Sequence, residues 1–297
     1  MYKTAAEIIS QCQAENKSVA EIVLEAELEL QGSESAEEVR TSLTEYYRTM
    51  CESAHHTLTK VVPSVSGLSG GNAKKLYEYL SKGNSVCGTD FLTGVAYALS
   101  TSEVNASMGL VAAAPTAGSA GILPGALILT VEKFGITDER RITDALLTAG
   151  GIGQLIEVNA TLSGAEGGCQ AECGSAAAMA AGAVVQLLGG TPEQVFHAAA
   201  MALKNVMGLV CDPIAGLVEC PCIKRNASGA GNAMLCADLA LAGIQSFVPF
   251  DEVVDAMRKV GRSISPELRE TSLGGLAKTP TGKRVKQQLK DRDAFDA

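Results

Sequence analysis

Five of the nine cysteines fall in three short stretches: Cys169 and Cys173 in "GCQAECG", Cys211 before Asp212-Pro213, and Cys220 and Cys222 in "ECPCIKRNAS". Thiolates ligate soft metals and act as nucleophiles, so their placement matters. Cys169 precedes a helix expected over residues 174–188. Cys211 stands at the end of one expected over 192–210, and Cys222 lies in the loop before the next. Helix N-termini and cations such as Lys224 and Arg225 favour the thiolate. A packing thiol needs no such position, and Cys12, Cys51 and Cys236, single on helical faces, read as small buried residues. Cys87, near a helix start, fits either reading. The gaps within the stretches are x₃ and x₁. They match neither the paired Cys-x₂-Cys of structural zinc nor the ferredoxin run, so spacing leaves iron–sulfur and zinc both open.

Two Gly-rich loops accompany the thiols. "PTAGSAG" (115–121) leads into "LPGALILTVEKF", a helix with Pro124 near its start, and "SGLSGGN" (66–72) precedes a helix over 73–80. Backbone N–H groups of such a loop beside a helix N-terminus can hold an anion. Alone, each loop reads more readily as a tight turn than as a binding loop. Asn105 sits between expected helices and could cap one. His55, His56 and His197 match no motif.

The elements that must position these groups read as helices. Thr4–Glu7, Ser18–Glu21 and Ser35–Glu38 each have capping-box spacing, with Gly32-Ser33 dividing the second helix from the third. Further helices are expected from Thr89, as cap, to Ser100, over 138–156, over 192–210 with Thr191, Pro192 and Gln194 at its start, over 232–244 and over 251–264. Period-2 alternation is absent. The expectation is an all-α catalytic domain, 1–297, with buried Ala/Gly-rich central helices, Gly-rich active-site loops, an outer helical layer over 1–60 and a polar, frayed tail over 278–297. With 46 % apolar residues, only 4 % aromatics and no Trp, the core must be built from small and aliphatic side chains.

Net charge is −9, which argues against nucleic acid and anionic membrane surfaces as partners. The longest uncharged stretch, 104–131, is broken by Pro115, Pro124 and several Gly and is not a membrane span. The N-terminus lacks the apolar region of a signal peptide. Nine cysteines without one point to the reducing cytoplasm.

"TSEVNASMGLVAAAPTAGSAGILPG" (101–125), "GCQAECGSAAAMAAG" (168–182), "CDPIAGLVECPCIKRNA" (211–227), "SGLSGGNAKKL" (66–76) and "GGLAKTPTG" (274–282) together resemble the α subunit of iron–sulfur-dependent L-serine dehydratase. The resemblance implies that Cys169, Cys211 and Cys222 hold a [4Fe–4S] cluster whose fourth iron is open and acts as a Lewis acid. It leaves Cys173 and Cys220 outside the ligand set. It implies the substrate, L-serine, its conversion through aminoacrylate to pyruvate and ammonia, and a pocket that includes Ser66, Asn105, Thr116 and Ser119. Lys75 and Lys278 fall within the matching motifs and are candidate bases, with Glu103 nearby, but none is assigned.

Single-chain members of that family carry an additional N-terminal domain with a Ser-Ser-Ser-His stretch, which does not occur here. The split form pairs an α subunit of about this length with a separate β subunit, so a β partner is expected. Three other readings compete. An iron–sulfur cysteine desulfidase shares the architecture. A pyridoxal-phosphate dehydratase would need a Schiff-base Lys and a phosphate cup. A non-catalytic, zinc-bound helical module would be colourless.

Overall fold

The structure, a computed structural model, describes residues 2–31 and 35–292. The fold is all-α: among the described residues there is no strand, and one isolated bridge pairs Cys211 with Arg269. Helices α1 (Ala5–Glu15), α2 (Val19–Gln31) and α3 (Ala36–His56) begin at the three capping boxes. In each, the hydroxyl accepts from the acid's backbone N–H and the acid reaches back to the cap's own N–H. The Gly32-Ser33 break lies outside the described residues.

α4 (Asn72–Leu80), α5 (Thr89–Ala106), α6 (Ile122–Phe134), α7 (Glu139–Asn159), the single turn α8 (Gly164–Gly167), α9 (Ser175–Leu187), α10 (Pro192–Lys204), α11 (Cys222–Leu241), α12 (Phe250–Ser263) and α13 (Pro280–Lys290) follow. α9 is the central helix. Gln186 is its one residue that is not buried, and α6, α7, α10 and α11 surround it. Such close packing requires small side chains. A Cβ on Gly94 of α5 would lie 2.8 Å from the Gly125 carbonyl oxygen of α6, and one on Gly125 would lie 2.7 Å from the Gly94 oxygen. The two helices therefore cross at backbone contact, which supplies interior density without aromatics. No described helix is long and apolar enough to cross a membrane.

Several boundaries differ from expectation. The helix expected to reach residue 210 ends at Lys204, because Gly208 takes a positive φ of 85° and donates its N–H to the Gln170 side chain. Cys211 therefore lies in an extended segment rather than at a helix end. Cys222 is not in a loop but opens α11, ten residues before its expected start. Pro221 stands at the cap, where its missing N–H costs nothing. α5 starts after Gly88 rather than at a Thr89 cap, and continues to Ala106, so Asn105 lies inside its last turn and caps nothing. The tail is not frayed over 280–290: Thr279 caps α13, its Oγ1 accepting from Gly282 N at 3.1 Å, and Leu289 is 1 % exposed. Residues 293–297 lie outside the described part.

Candidate active site

Each of the three thiols named for the cluster is fixed by a buried polar neighbour. Cys169 sits between Gly168 and Gln170, before a π-helical turn (Gln170–Gly174) that runs into α9. Gly168 has φ 77°, and a Cβ there would meet the Leu209 carbonyl oxygen at 2.9 Å. Fully buried Gln170 donates to the carbonyls of Gly167 and Met257 and accepts from Gly208 N, all within 3.0 Å. That side chain ties α8, α12 and the 208 turn to the segment bearing Cys169.

Cys211 N donates to Leu268 O at 2.8 Å, and Glu270 N donates to Cys211 O at 2.7 Å. The next residue, Asp212, is 3 % exposed and accepts from Leu276 N at 2.7 Å. A Cβ on Gly275, at φ 55°, would lie 2.3 Å from that carboxylate, so "GGLAK" is Gly-rich where the Asp212 carboxylate passes. Cys222 opens α11, and one turn on, buried Asn226 accepts from Gly121 N and donates to Gly118 O and Cys222 O. The "PTAGSAG" loop is thereby fastened to the helix that carries Cys222.

Arg225 links all three segments. It extends from α11, donates to Val210 O at 2.8 Å and Asp212 Oδ1 at 2.9 Å on either side of Cys211, and its charge acts on the Cys169 thiol. The hydrogen bond with Cys173 and the Arg225 charge, opposed by burial, hold the Cys169 thiol below its ordinary pKa. Burial and the charge of Cys169 push Cys222 up to about 12 and Cys211 higher still. Burial lowers Arg225, but Cys169 and Asp212 more than restore it. The nearest thiol outside the expected ligand set is Cys173, whose Sγ is 3.3 Å from that of Cys169. Cys220 is exposed.

Among the described residues, no three Cys, His, Asp or Glu side chains converge tightly enough for one metal ion. A zinc staple would need its sulfurs all about 2.3 Å from one point. Cys169 and Cys211 are buried and Cys222 is half-buried, and thiolates are the ligands by which iron–sulfur clusters are held.

The expected pocket residues lie beside this thiol set. Thr116 Oγ1 is 3.1 Å from Ser119 Oγ and donates to Glu172 Oε1 at 3.0 Å. Asn105 Nδ2 donates to Ala117 O. Ser66 Oγ donates at 2.6 Å to Glu219, a 5 % exposed carboxylate three residues before Cys222 that also accepts from Ser69. Glu103, 1 % exposed, accepts from Thr57 Oγ1, Asn72 N and Asn72 Nδ2 and so fastens the "SGLSGGN" loop. Lys75 and Lys278 are both exposed, and neither side chain has a hydrogen bond or ion pair among the described residues.

Sequence reasoning missed Glu172 and Glu219. Glu172 lies between α8 and the 115–121 loop: a Cβ on Gly164 would meet its Oε2 at 2.6 Å, and one on Gly118 its Oε1 at 3.3 Å. Burial raises its pKa, the charge of Glu270 adds to this, and the Thr116 hydrogen bond opposes it. The signal was its solitude, since Glu172 is the single charge between Gly167 and Gly190.

Comparison with known proteins shows the family to which the chain is similar. The profile of the family described as serine dehydratase alpha chain matches residues 14–277. The L-serine dehydratase, alpha chain, of Peptoniphilus asaccharolyticus is 51 % identical over 99 % of this chain and 100 % of its own length. The probable L-serine dehydratase, alpha chain, of Bacillus subtilis is 46 % identical over 97 % and 95 %. The L-serine dehydratase of Mycobacterium tuberculosis is 40 % identical over 93 % of this chain but only 61 % of its own length.

Proposed function

The chain belongs to the serine dehydratase alpha chain family, and from that premise we propose that it is the α subunit of a cytoplasmic, iron–sulfur-dependent L-serine ammonia-lyase. Cys169, Cys211 and Cys222 would hold the [4Fe–4S] cluster. When bound, the cluster supplies a Lewis-acidic iron that makes the serine hydroxyl a better leaving group. The observation that supports this reading best is the arrangement of three thiol segments around Arg225, each fixed by its own buried polar side chain: Gln170, Asp212 and Asn226.

The chain's own residues would supply part of the remaining chemistry. The N–H groups of the 115–121 loop, with the Thr116 and Ser119 hydroxyls, would receive the substrate carboxylate. Ser66 and Asn105 would line the same pocket. Glu172, whose burial makes its carboxyl hold a proton more tightly than an exposed acid, can carry one within reach of Thr116. Loss of the α-proton and of water gives aminoacrylate, which tautomerises to an imine and hydrolyses to pyruvate and ammonia.

A β subunit would complete the carboxylate or base side. The longer relative of Mycobacterium tuberculosis has length to spare beyond the matched part. Val65, Met108, Leu110 and Val218 are exposed, and Val65 N bonds Ala106 O beside the loops. These side chains would form the apolar part of that contact.

The deciding experiment reconstitutes the full chain anaerobically, then records absorbance, iron and sulfide, and serine and cysteine turnover with and without the partner. Broad brown absorbance and pyruvate from serine only with the partner are expected. A colourless chain after reconstitution overturns the cluster. Full turnover by the chain alone overturns the need for a partner and turns attention to Glu172, Lys75 and Lys278 as the base.

A further inference from the structure

Cys173 is a buried nucleophile that the proposed reaction does not use. It is 4 % exposed, Cys169 is 3 % exposed, and their sulfurs are 3.3 Å apart. Ligands on different corners of a cube-shaped cluster point away from one another, so two sulfurs in contact cannot both serve it. The pair is instead placed to react together. Helical geometry sets residues four apart at a Cα separation of about 6 Å, inside the range that disulfides span. The intervening segment is the π turn Gln170–Gly174, a local departure from regular helix of the kind that occurs at functional sites.

We propose that Cys169 and Cys173 form a redox modification site, closing an intramolecular disulfide whenever Cys169 is not holding iron and a peroxide is present. Hydrogen peroxide transfers one oxygen to the Cys169 thiol, giving a sulfenic acid and one water. Cys173 then attacks that sulfur: the S–S bond forms, the S–O bond breaks, and the hydroxyl leaves as a second water with the Cys173 proton. Two thiols are oxidised by two electrons and the peroxide is reduced by two. Cys173 thus acts as the resolving thiol that keeps Cys169 from irreversible oxidation, and a dithiol reductant restores both. The disulfide depends on the contact alone; its consequence for iron loading rests on the reading of Cys169 as a ligand.

The test uses the full chain, freed of iron by an anaerobic chelator, exposed to a small excess of hydrogen peroxide, alkylated, digested and weighed. The expected result is one peptide carrying both cysteines unalkylated and two hydrogens lighter, reverting with dithiothreitol. The near-isosteric Cys173→Ser should instead show Cys169 as sulfinic acid. Alkylation of both residues after peroxide, or a link from Cys169 to Cys211, Cys220 or Cys222, overturns the proposal. In a second arm, reduced and oxidised chains are offered iron and sulfide. Iron uptake by the reduced chain only, restored to the oxidised one by dithiothreitol, is expected. Equal uptake by both overturns the protective role. If the reduced chain takes up none, the cluster reading fails, and the mass result still decides the disulfide.

Discussion

Arg225 and Asp212 form an ion pair at 2.9 Å whose side chains are only 16 % and 5 % exposed, and it lies where three thiol-bearing segments meet. The carboxylate's other oxygen takes the Leu276 N–H, and the guanidinium's other arm takes the Val210 carbonyl. Both ions are thus compensated by hydrogen bonds, the condition under which a buried pair is tolerated.

Arg225→Met should therefore leave Asp212 buried without its partner, at a cost of about 3–5 kcal/mol. Guanidinium denaturation of the iron-free chain measures this. Arg225→Lys keeps the charge but not the forked geometry and should fall between the two. Both variants should also take up less iron than wild type on anaerobic reconstitution. Wild-type stability and iron content in Arg225→Met would show that the pair organises nothing.

Glu103 offers a second probe. Its oxygens accept three hydrogen bonds, two of them from Asn72 at the head of α4. In Glu103→Gln one oxygen becomes a donor and must face either Thr57 or Asn72. A cost of about 1–3 kcal/mol is expected, with faster proteolysis of the 64–71 loop as the local signature. An unchanged cleavage pattern would mean the loop is held by other contacts.

Two glycines test the packing from opposite sides. Gly125→Ala drives a Cβ against the Gly94 carbonyl, and overpacking of this kind costs about 1–3 kcal/mol. Gly150, exposed within α7, has nothing within 4 Å of an added Cβ. Gly150→Ala should therefore stabilise the chain by roughly 0.5–1 kcal/mol through helix propensity. Melting temperatures that move in the same direction for both variants would contradict the close α5–α6 crossing.

The helices were legible because their starts are chemical: Thr4, Ser18, Ser35 and Thr191 each carry a box partner three residues on. The ends were less legible. Nothing local in 205–210 says that Gly208 will donate its N–H to Gln170, 38 residues earlier, so the helix was carried six residues too far. The thiol stretches stood out through Pro, Gly and Cys. The acids of the site did not, because a carboxylate's burial is decided by distant segments. Glu172 meets Thr116 across 56 residues and Glu219 meets Ser66 across 153. Read locally, Glu219 looks like a solvated charge, and Glu172 is marked only by its solitude in an uncharged run.

Glu172 supplies the pH prediction. Its folded pKa is raised, chiefly by burial, with the Thr116 hydrogen bond opposing and the charge of Glu270 adding to the rise, and Cys169, Cys173, Cys211 and Cys222 feel its charge. A carboxyl whose folded pKa exceeds its unfolded value binds its proton more tightly when folded. Its contribution to stability is fully present below the ordinary glutamate value, about 4.3. It is lost as pH rises through the folded value. Glu172→Gln cannot ionise and should not show that loss. The melting temperature of the iron-free variant, relative to wild type, should therefore rise between pH 4 and pH 7.5. The same substitution removes the proton carrier beside Thr116, and serine turnover by the complete enzyme should fall roughly 10²-fold or more. A pH-independent difference in melting temperature, with wild-type turnover, would make Glu172 a bystander and leave the base to the partner chain.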